Sequence, residues 1–175
     1  MYNPIKIIDT IGFTSPYLLF LIASIILFSN ERYITLIFYI IGIAATEKLV
    51  RLIKSIIREP RPGPQIPFMN EKMSGEHIYG FPSGHAAEVM YTLSFMWFSK
   101  TLRIATQAFF YFGAFSALCM IYQRWAYKRH TFFQLFFGAL FGIIMGWIVS
   151  WLSKQRLENK LELTNFYKFY YRKMA

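Results

Sequence analysis

Five apolar stretches separated by short polar segments dominate the pattern of the chain. They cover approximately residues 12–29, 33–52, 86–98, 104–122 and 132–152. A helix needs about 20 apolar residues to cross a bilayer, and in lipid a helix satisfies its own backbone polar groups. The third stretch is short and contains Glu88, but it can extend back through His85. The pattern predicts an all-α polytopic membrane bundle with about five transmembrane helices.

The N-terminal segment has a different pattern. Residues 4–11, "PIKIIDTI", place three isoleucines on one side of a helix and Lys6, Asp9 and Thr10 on the other. Such an amphipathic turn is typical of a helix that lies at the membrane surface. We therefore expect an N-terminal interfacial helix before the first span.

Composition supports a membrane protein and a single domain over residues 1–175. Hydrophobic residues make up 55% of the chain and charged residues 16%, against about 25% charged in soluble domains. The net charge is +10. Basic residues beside spans set topology or meet anionic head groups, so the expected partners are membrane lipids and not nucleic acid. The basic and aromatic tail, residues 153–175, is expected at the membrane surface. Composition does not specify an oligomeric state.

Five spans place alternate loops on opposite faces. The N-terminus and residues 54–84 and 123–131 fall on one face, whereas residues 30–32, 99–103 and the tail fall on the other. The second face has slightly more basic residues, which predicts a cytoplasmic C-terminus. In the fifth span, Gly138, Gly142 and Gly146 form a small-residue stripe that would let another helix approach closely.

Three polar groups fall together on the first face. They are Lys54 and Arg61 in "KSIIREPRP", Ser83, Gly84 and His85 in "FPSGH", and Arg124 and His130 in "QRWAYKRHTFFQ". Arginine and lysine bind phosphoryl oxygens, and the amides of a turn that opens a helix add donors. Two histidines can act as nucleophile and acid. No carboxylate cluster is available for Mg²⁺, so the pattern predicts phosphate ester cleavage without a metal or another cofactor.

These segments resemble the three motifs of the type 2 phosphatidic acid phosphatases. The motifs are Lys-x6-Arg-Pro, Pro-Ser-Gly-His and Ser-Arg-x5-His-x3-Asp, and the resemblance covers about residues 54–134. It implies that His130 attacks phosphorus to form a phosphohistidine and that His85 protonates the leaving group. It also implies that the phosphoryl oxygens are bound by Lys54, Arg61, Ser83, Gly84 and Arg124.

Two residues depart from the third motif. Gln123 stands where serine is usual, and Gln134 stands where an aspartate usually orients the nucleophilic histidine. Gln134 can accept a hydrogen bond from the imidazole but supplies no charge, and the analogous change in a serine protease lowers kcat about 10⁴-fold. The only aspartate, Asp9, is far from the motif in sequence. Glu88, one turn beyond His85, is the candidate replacement, unless it only pairs with a basic neighbour.

The resemblance implies a membrane lipid phosphatase. Small members of the family act on envelope lipids: lipid A at its 1-phosphate, undecaprenyl diphosphate and phosphatidylglycerol phosphate. The additional basic residues Arg58, Lys128 and Arg129 favour a polyanionic head group. We therefore expect a bacterial inner-membrane enzyme whose site faces the periplasm or the cell exterior.

Two alternatives remain open from the sequence. Gln123 and Gln134 are compatible with a weak or inactive protein that binds lipid phosphates. A phosphotransferase would form the same intermediate on His130 and pass the phosphoryl group to an acceptor other than water.

Overall fold

A computed structural model describes residues 4–63, 66, 79–99 and 104–174, with side chains for 6–63, 66, 79–99 and 107–156. The described residues form five helices: α1 (Pro4–Ser29), α2 (Tyr33–Ile57), α3 (Gly84–Phe98), α4 (Ile104–Ala126) and α5 (Phe132–Met174). An isolated bridge pairs Pro60 with Tyr79. The predicted all-α architecture is confirmed.

The expectation of a separate N-terminal interfacial helix is wrong. Residues 4–29 form one continuous helix, because nothing breaks it between the amphipathic turn and the apolar stretch. Pro16 lies inside α1 and cannot donate to the Gly12 carbonyl, but the Ser15 hydroxyl donates to that carbonyl instead, at 3.0 Å. The side chain of Asp9 is buried against the protein.

Two helical stretches among the described residues, Lys6–Ser29 and Phe132–Arg156, are long and apolar enough to cross a bilayer. Length and composition are the basis of this assignment, and they suggest a membrane protein. The count of five spans stays a prediction. Helix α5 continues through the tail to Met174, where the side chains beyond residue 156 lie outside the described residues.

The glycine stripe of α5 packs against α3, as the sequence predicted. A Cβ atom added to Gly142 would lie 2.1 Å from the Ala87 carbonyl oxygen, and one added to Gly138 would lie 2.4 Å from the Ser83 carbonyl oxygen. The backbones of the two helices are therefore in direct contact. Because that contact extends to Ser83, it determines how the start of α3 lies against α5.

Successive helix ends lie at opposite ends of the bundle, as the alternation of loops predicted. Arg61 after α2 approaches His130 before α5, at 3.4 Å, and Arg124 of α4 contacts His85 of α3. At the opposite end of the bundle, Arg32 donates to the Ser99 carbonyl at 3.2 Å. The three polar groups therefore meet at one end of the bundle.

Gly142→Ala is expected to lower thermal stability, because its methyl group would force the α3 and α5 backbones apart. Overpacking of this kind costs about 1–3 kcal/mol. The measurement is the melting temperature of the purified protein in detergent. Ala114→Val, which adds bulk at an exposed position of α4, is the control; an equal effect of both changes would contradict the proposed contact.

Candidate active site

The first motif begins in the last turn of α2, continues into the loop after it and contributes two cations. The Lys54 ammonium donates to the Tyr79 carbonyl at 3.4 Å. Arg61 donates from Nη1 to the Arg129 carbonyl at 2.9 Å, and the same Nη1 lies 3.4 Å from His130 Nε2. Arg61 therefore links the first motif directly to the third.

The second motif forms the start of α3. The Ser83 side chain caps the helix by accepting the Ala86 N–H at 3.5 Å, and the Ser83 N–H donates to the Gln134 carbonyl at 3.0 Å. A Cβ atom at Gly84 would meet only Val50, at 3.8 Å. The turn is thus anchored on α5 and still leaves space at a helix N-terminus, where anions bind well.

His85 is held between α1 and α4. Its Nε2 atom contacts the Arg124 guanidinium, and its ring forms a hydrogen bond with the backbone of Phe13. Since Nε2 faces Arg124, the donor to the Phe13 carbonyl is Nδ1–H. The Arg124 guanidinium also lies over the Phe13 ring, with Cζ 5.4 Å from the ring centroid, which is cation–π distance.

His130 is buried in the connection between α4 and α5. Its Nδ1 atom lies 3.3 Å from Gln134 Oε1, while Nε2 faces Arg61. Burial is the main cause that lowers the pKa of His130 well below its usual value, and the charges of Arg61, Lys54 and Arg124 lower this pKa further. The imidazole is therefore neutral near pH 7.

The Gln134 side chain is buried and uses both ends of its amide. Oε1 faces His130 and also accepts the Thr131 N–H at 3.2 Å. Nε2 donates to Glu59 Oε1 at 2.7 Å and to the Pro60 carbonyl at 3.0 Å. A Cβ atom at Gly80 would lie 2.3 Å from Gln134 Oε1, so the loop closes tightly over this amide.

Two sequence candidates lie away from the contacts of His130. Glu88 is half-buried on α3 and interacts electrostatically with Glu47, Arg124, Arg51 and Lys54. Gln123 is fully buried, and neither end of its amide has a hydrogen-bond partner among the described residues. The carboxylate that contacts Gln134 is Glu59.

Sequence reasoning missed Glu59 and Phe13. Glu59 stands two residues before Arg61 in the first motif, so a search of the motif loops for a substitute carboxylate could have found it. The part played by the Phe13 carbonyl has no signal in the sequence, because every residue carries a carbonyl group.

Asp9 is close to the third motif in space, although it is far in sequence. The Tyr127 hydroxyl donates to Asp9 Oδ2 at 2.7 Å. This hydrogen bond, followed by burial, raises the pKa of Tyr127 to about 12. It ties α1 to the segment that carries His130.

A pocket of about 450 Å³ opens over His130. Its lining consists of Pro62, Gly63, Trp125, Lys128, His130, Thr131 and Phe132. Trp125 and Phe132 have 63% and 68% of their surface exposed. The pocket therefore combines a buried imidazole with an apolar rim.

Lys54→Met is expected to raise the pKa of His130, because it removes a positive charge that disfavours the imidazolium. The measurement is an NMR titration of the histidine ring protons in detergent, with Lys48→Met on the exposed face of α2 as the control. An unchanged pKa of His130 would contradict the electrostatic account of the site.

Comparison with known proteins agrees with this arrangement. The family model described as the PAP2 superfamily matches residues 32–158. The matched range contains all three motifs, the helices α2, α3 and α4, and α5 as far as residue 158. No curated protein and no solved structure matches the chain. Members of the superfamily act on phosphate esters, including those of lipids. Because this match covers most of its length, the chain belongs to the PAP2 superfamily.

Proposed function

We propose that this protein is a membrane lipid phosphatase that cleaves a phosphomonoester or diphosphate through a phosphohistidine, without a metal ion. The observation that carries the proposal is the environment of His130. Its ring is neutral, its Nδ1 atom lies 3.3 Å from Gln134 Oε1, and its Nε2 lies beside Arg61 at a pocket. A nucleophile of this kind needs a free lone pair next to a bound phosphoryl group.

In the first step, the lone pair of His130 Nε2 forms a bond to phosphorus, and the bond from phosphorus to the lipid oxygen breaks. That oxygen takes a proton from Nε2 of the His85 imidazolium. Lys54, Arg61, Arg124, the Ser83 hydroxyl and the amide of Gly84 bind the phosphoryl oxygens. These three cations supply the charge that a metal ion provides in other phosphate-cleaving sites.

The contact between Arg124 and His85 prepares this exchange of protons. Arg124 contacts His85 Nε2, and a phosphoryl dianion would attract the guanidinium away from the imidazole. His85 Nε2 is then free to carry a proton. In the second step, neutral His85 takes a proton from water, the water oxygen bonds to phosphorus, the P–N bond breaks and inorganic phosphate leaves.

Glu88 and Gln134 have different roles in this proposal. Gln134 accepts the His130 Nδ1–H and orients the ring. Glu88 interacts with Arg124 and Lys54, so we assign it to balancing the charge of the phosphate-binding cations. It is therefore a positioning residue for these cations and not the partner of His130.

The substrate is proposed to be an envelope lipid that enters sideways from the bilayer. Exposed Trp125 and Phe132 at the pocket rim would contact acyl or prenyl chains. Lipid A 1-phosphate, undecaprenyl diphosphate and phosphatidylglycerol phosphate are the candidate substrates. We place the protein in the bacterial inner membrane, with the site on the periplasmic side and the C-terminus in the cytoplasm.

His130→Ala is expected to reduce phosphate release by at least about 10³-fold, as for the loss of other catalytic nucleophiles. The assay uses purified protein in detergent, a chelator and a panel of lipid phosphates and diphosphates. The matched control is His77→Ala, because His77 is the histidine outside the three motifs. It lies among residues 67–78, outside the described residues.

Three outcomes would contradict the proposal. Activity that a chelator abolishes would indicate a metal-dependent mechanism. Binding of lipid phosphates by folded protein without phosphate release would favour the binding protein. Transfer of the phosphoryl group to a second lipid, with little free phosphate, would favour the phosphotransferase.

Lys128→Gln is expected to lower kcat/KM for polyanionic lipids more than for a simple phosphatidate. Lys128 is exposed and lines the pocket, whereas Arg129 is buried. Arg58 is exposed and donates to the Ser55 carbonyl; it is not among the lining residues. Lys48→Gln controls for the loss of one charge, and equal effects of Lys128→Gln on all substrates would contradict a polyanionic preference.

A further inference from the structure

A glutamine in contact with a catalytic histidine has an ambiguity that an aspartate lacks. A carboxylate only accepts hydrogen bonds, whereas an amide accepts at one end and donates at the other. If the Gln134 amide presented its NH₂ group to His130, Nδ1 would have to accept. The ring proton would then sit on Nε2, and the lone pair needed for attack on phosphorus would be lost.

The contacts of the amide remove this ambiguity. At the NH₂ end lie two groups that can only accept, the Glu59 carboxylate at 2.7 Å and the Pro60 carbonyl at 3.0 Å. At the oxygen end lies a donor, the Thr131 N–H at 3.2 Å. A rotated amide would place its oxygen against two acceptors and its NH₂ group against a donor, which is unfavourable at each of these three contacts.

Glu59 provides the only charge among these contacts. A hydrogen bond to a charged group is roughly twice as strong as one between neutral groups. Glu59 is held by its own backbone, because its carbonyl accepts the Gly80 N–H at 2.8 Å. Its carboxylate also polarises the amide, which increases the negative charge on Gln134 Oε1.

We propose that Glu59 is a positioning residue that acts through the Gln134 amide to hold His130 in the Nδ1–H tautomer, with Nε2 unprotonated and facing Arg61. In this way the charge that the third motif usually carries on an aspartate is supplied from the first motif, one hydrogen bond further from the histidine. The inference rests on the proposed role of His130 as nucleophile.

The first test reads the tautomer directly and does not depend on activity. The chain has three histidines, so two-bond ¹H–¹⁵N spectra of ¹⁵N-histidine protein in detergent can be assigned with single substitutions. We expect Nδ1–H for His130 in the unchanged protein and a population of Nε2–H in Glu59→Leu. Glu31→Leu, at an exposed glutamate in the α1–α2 turn, should leave the spectrum unchanged.

The second test exchanges the two side chains. Glu59→Gln should lower kcat about 10- to 100-fold with little change in KM, as expected for a lost charged hydrogen bond. Gln134→Glu alone places two carboxylates together and should also lower kcat. In the Gln134→Glu background, Glu59→Gln should instead raise kcat, because one carboxylate and one amide again face each other.

The outcomes separate this inference from the proposed function. Additive losses in the double variant, or an unchanged tautomer in Glu59→Leu, would overturn the role of Glu59. If Glu59→Leu changes the tautomer but the unchanged protein releases phosphate from no lipid, the role of Glu59 is supported and the proposed phosphatase activity is contradicted. Thermal stability of each variant identifies any that fail to fold, and Glu59→Gln is the conservative change for that case.

Discussion

The direct backbone contact between α3 and α5 is the constraint on which the site depends. Glycines at three successive turns of α5 let the carbonyls of Ser83 and Ala87 approach the other helix. As a result, the Ser83 N–H reaches the Gln134 carbonyl at 3.0 Å. The start of α3 and the start of α5 are thereby locked together, and each start carries one histidine motif. Larger side chains along this stripe would separate the turn at Ser83 from the segment that carries His130.

A second constraint is the concentration of positive charge in the site. Three cations and two imidazoles share one end of the bundle, and the cations donate to carbonyls and ring nitrogens. Burial lowers the pKa of His130, and the charges of Arg61, Lys54 and Arg124 lower it further. The concentration of cations at this end of the bundle therefore keeps the imidazole uncharged.

Much of the fold and of the candidate site could be predicted from the sequence. Apolar periodicity and alternation of sides identified the helices and the end of the bundle where the motifs meet, and residue spacing identified both histidines and the cations. The N-terminal helix was divided wrongly, because an amphipathic turn and an apolar stretch can be parts of one helix. Glu59 was missed, and Asp9 was set aside as distant from the motif, for a different reason: their hydrogen bonds to Gln134 and Tyr127 join residues 75 and 118 positions apart. Periodicity does not report such long-range pairs. Glu88 appeared the better replacement for the usual aspartate because it lies one turn beyond His85 in the sequence.

The contact between α1 and His85 has a consequence for how freely the first helix can vary. The group that α1 offers to the imidazole is a main-chain carbonyl, at Phe13, and substitution of the side chain leaves that atom in place. What must be retained is the position of the helix, which the hydrogen bond between Asp9 and Tyr127 helps to fix. Helix α1 lies before the range matched by the superfamily. The position of the Phe13 carbonyl can therefore be kept while the amino acids of α1 change. A comparison of sequences alone would give little indication of this role of α1.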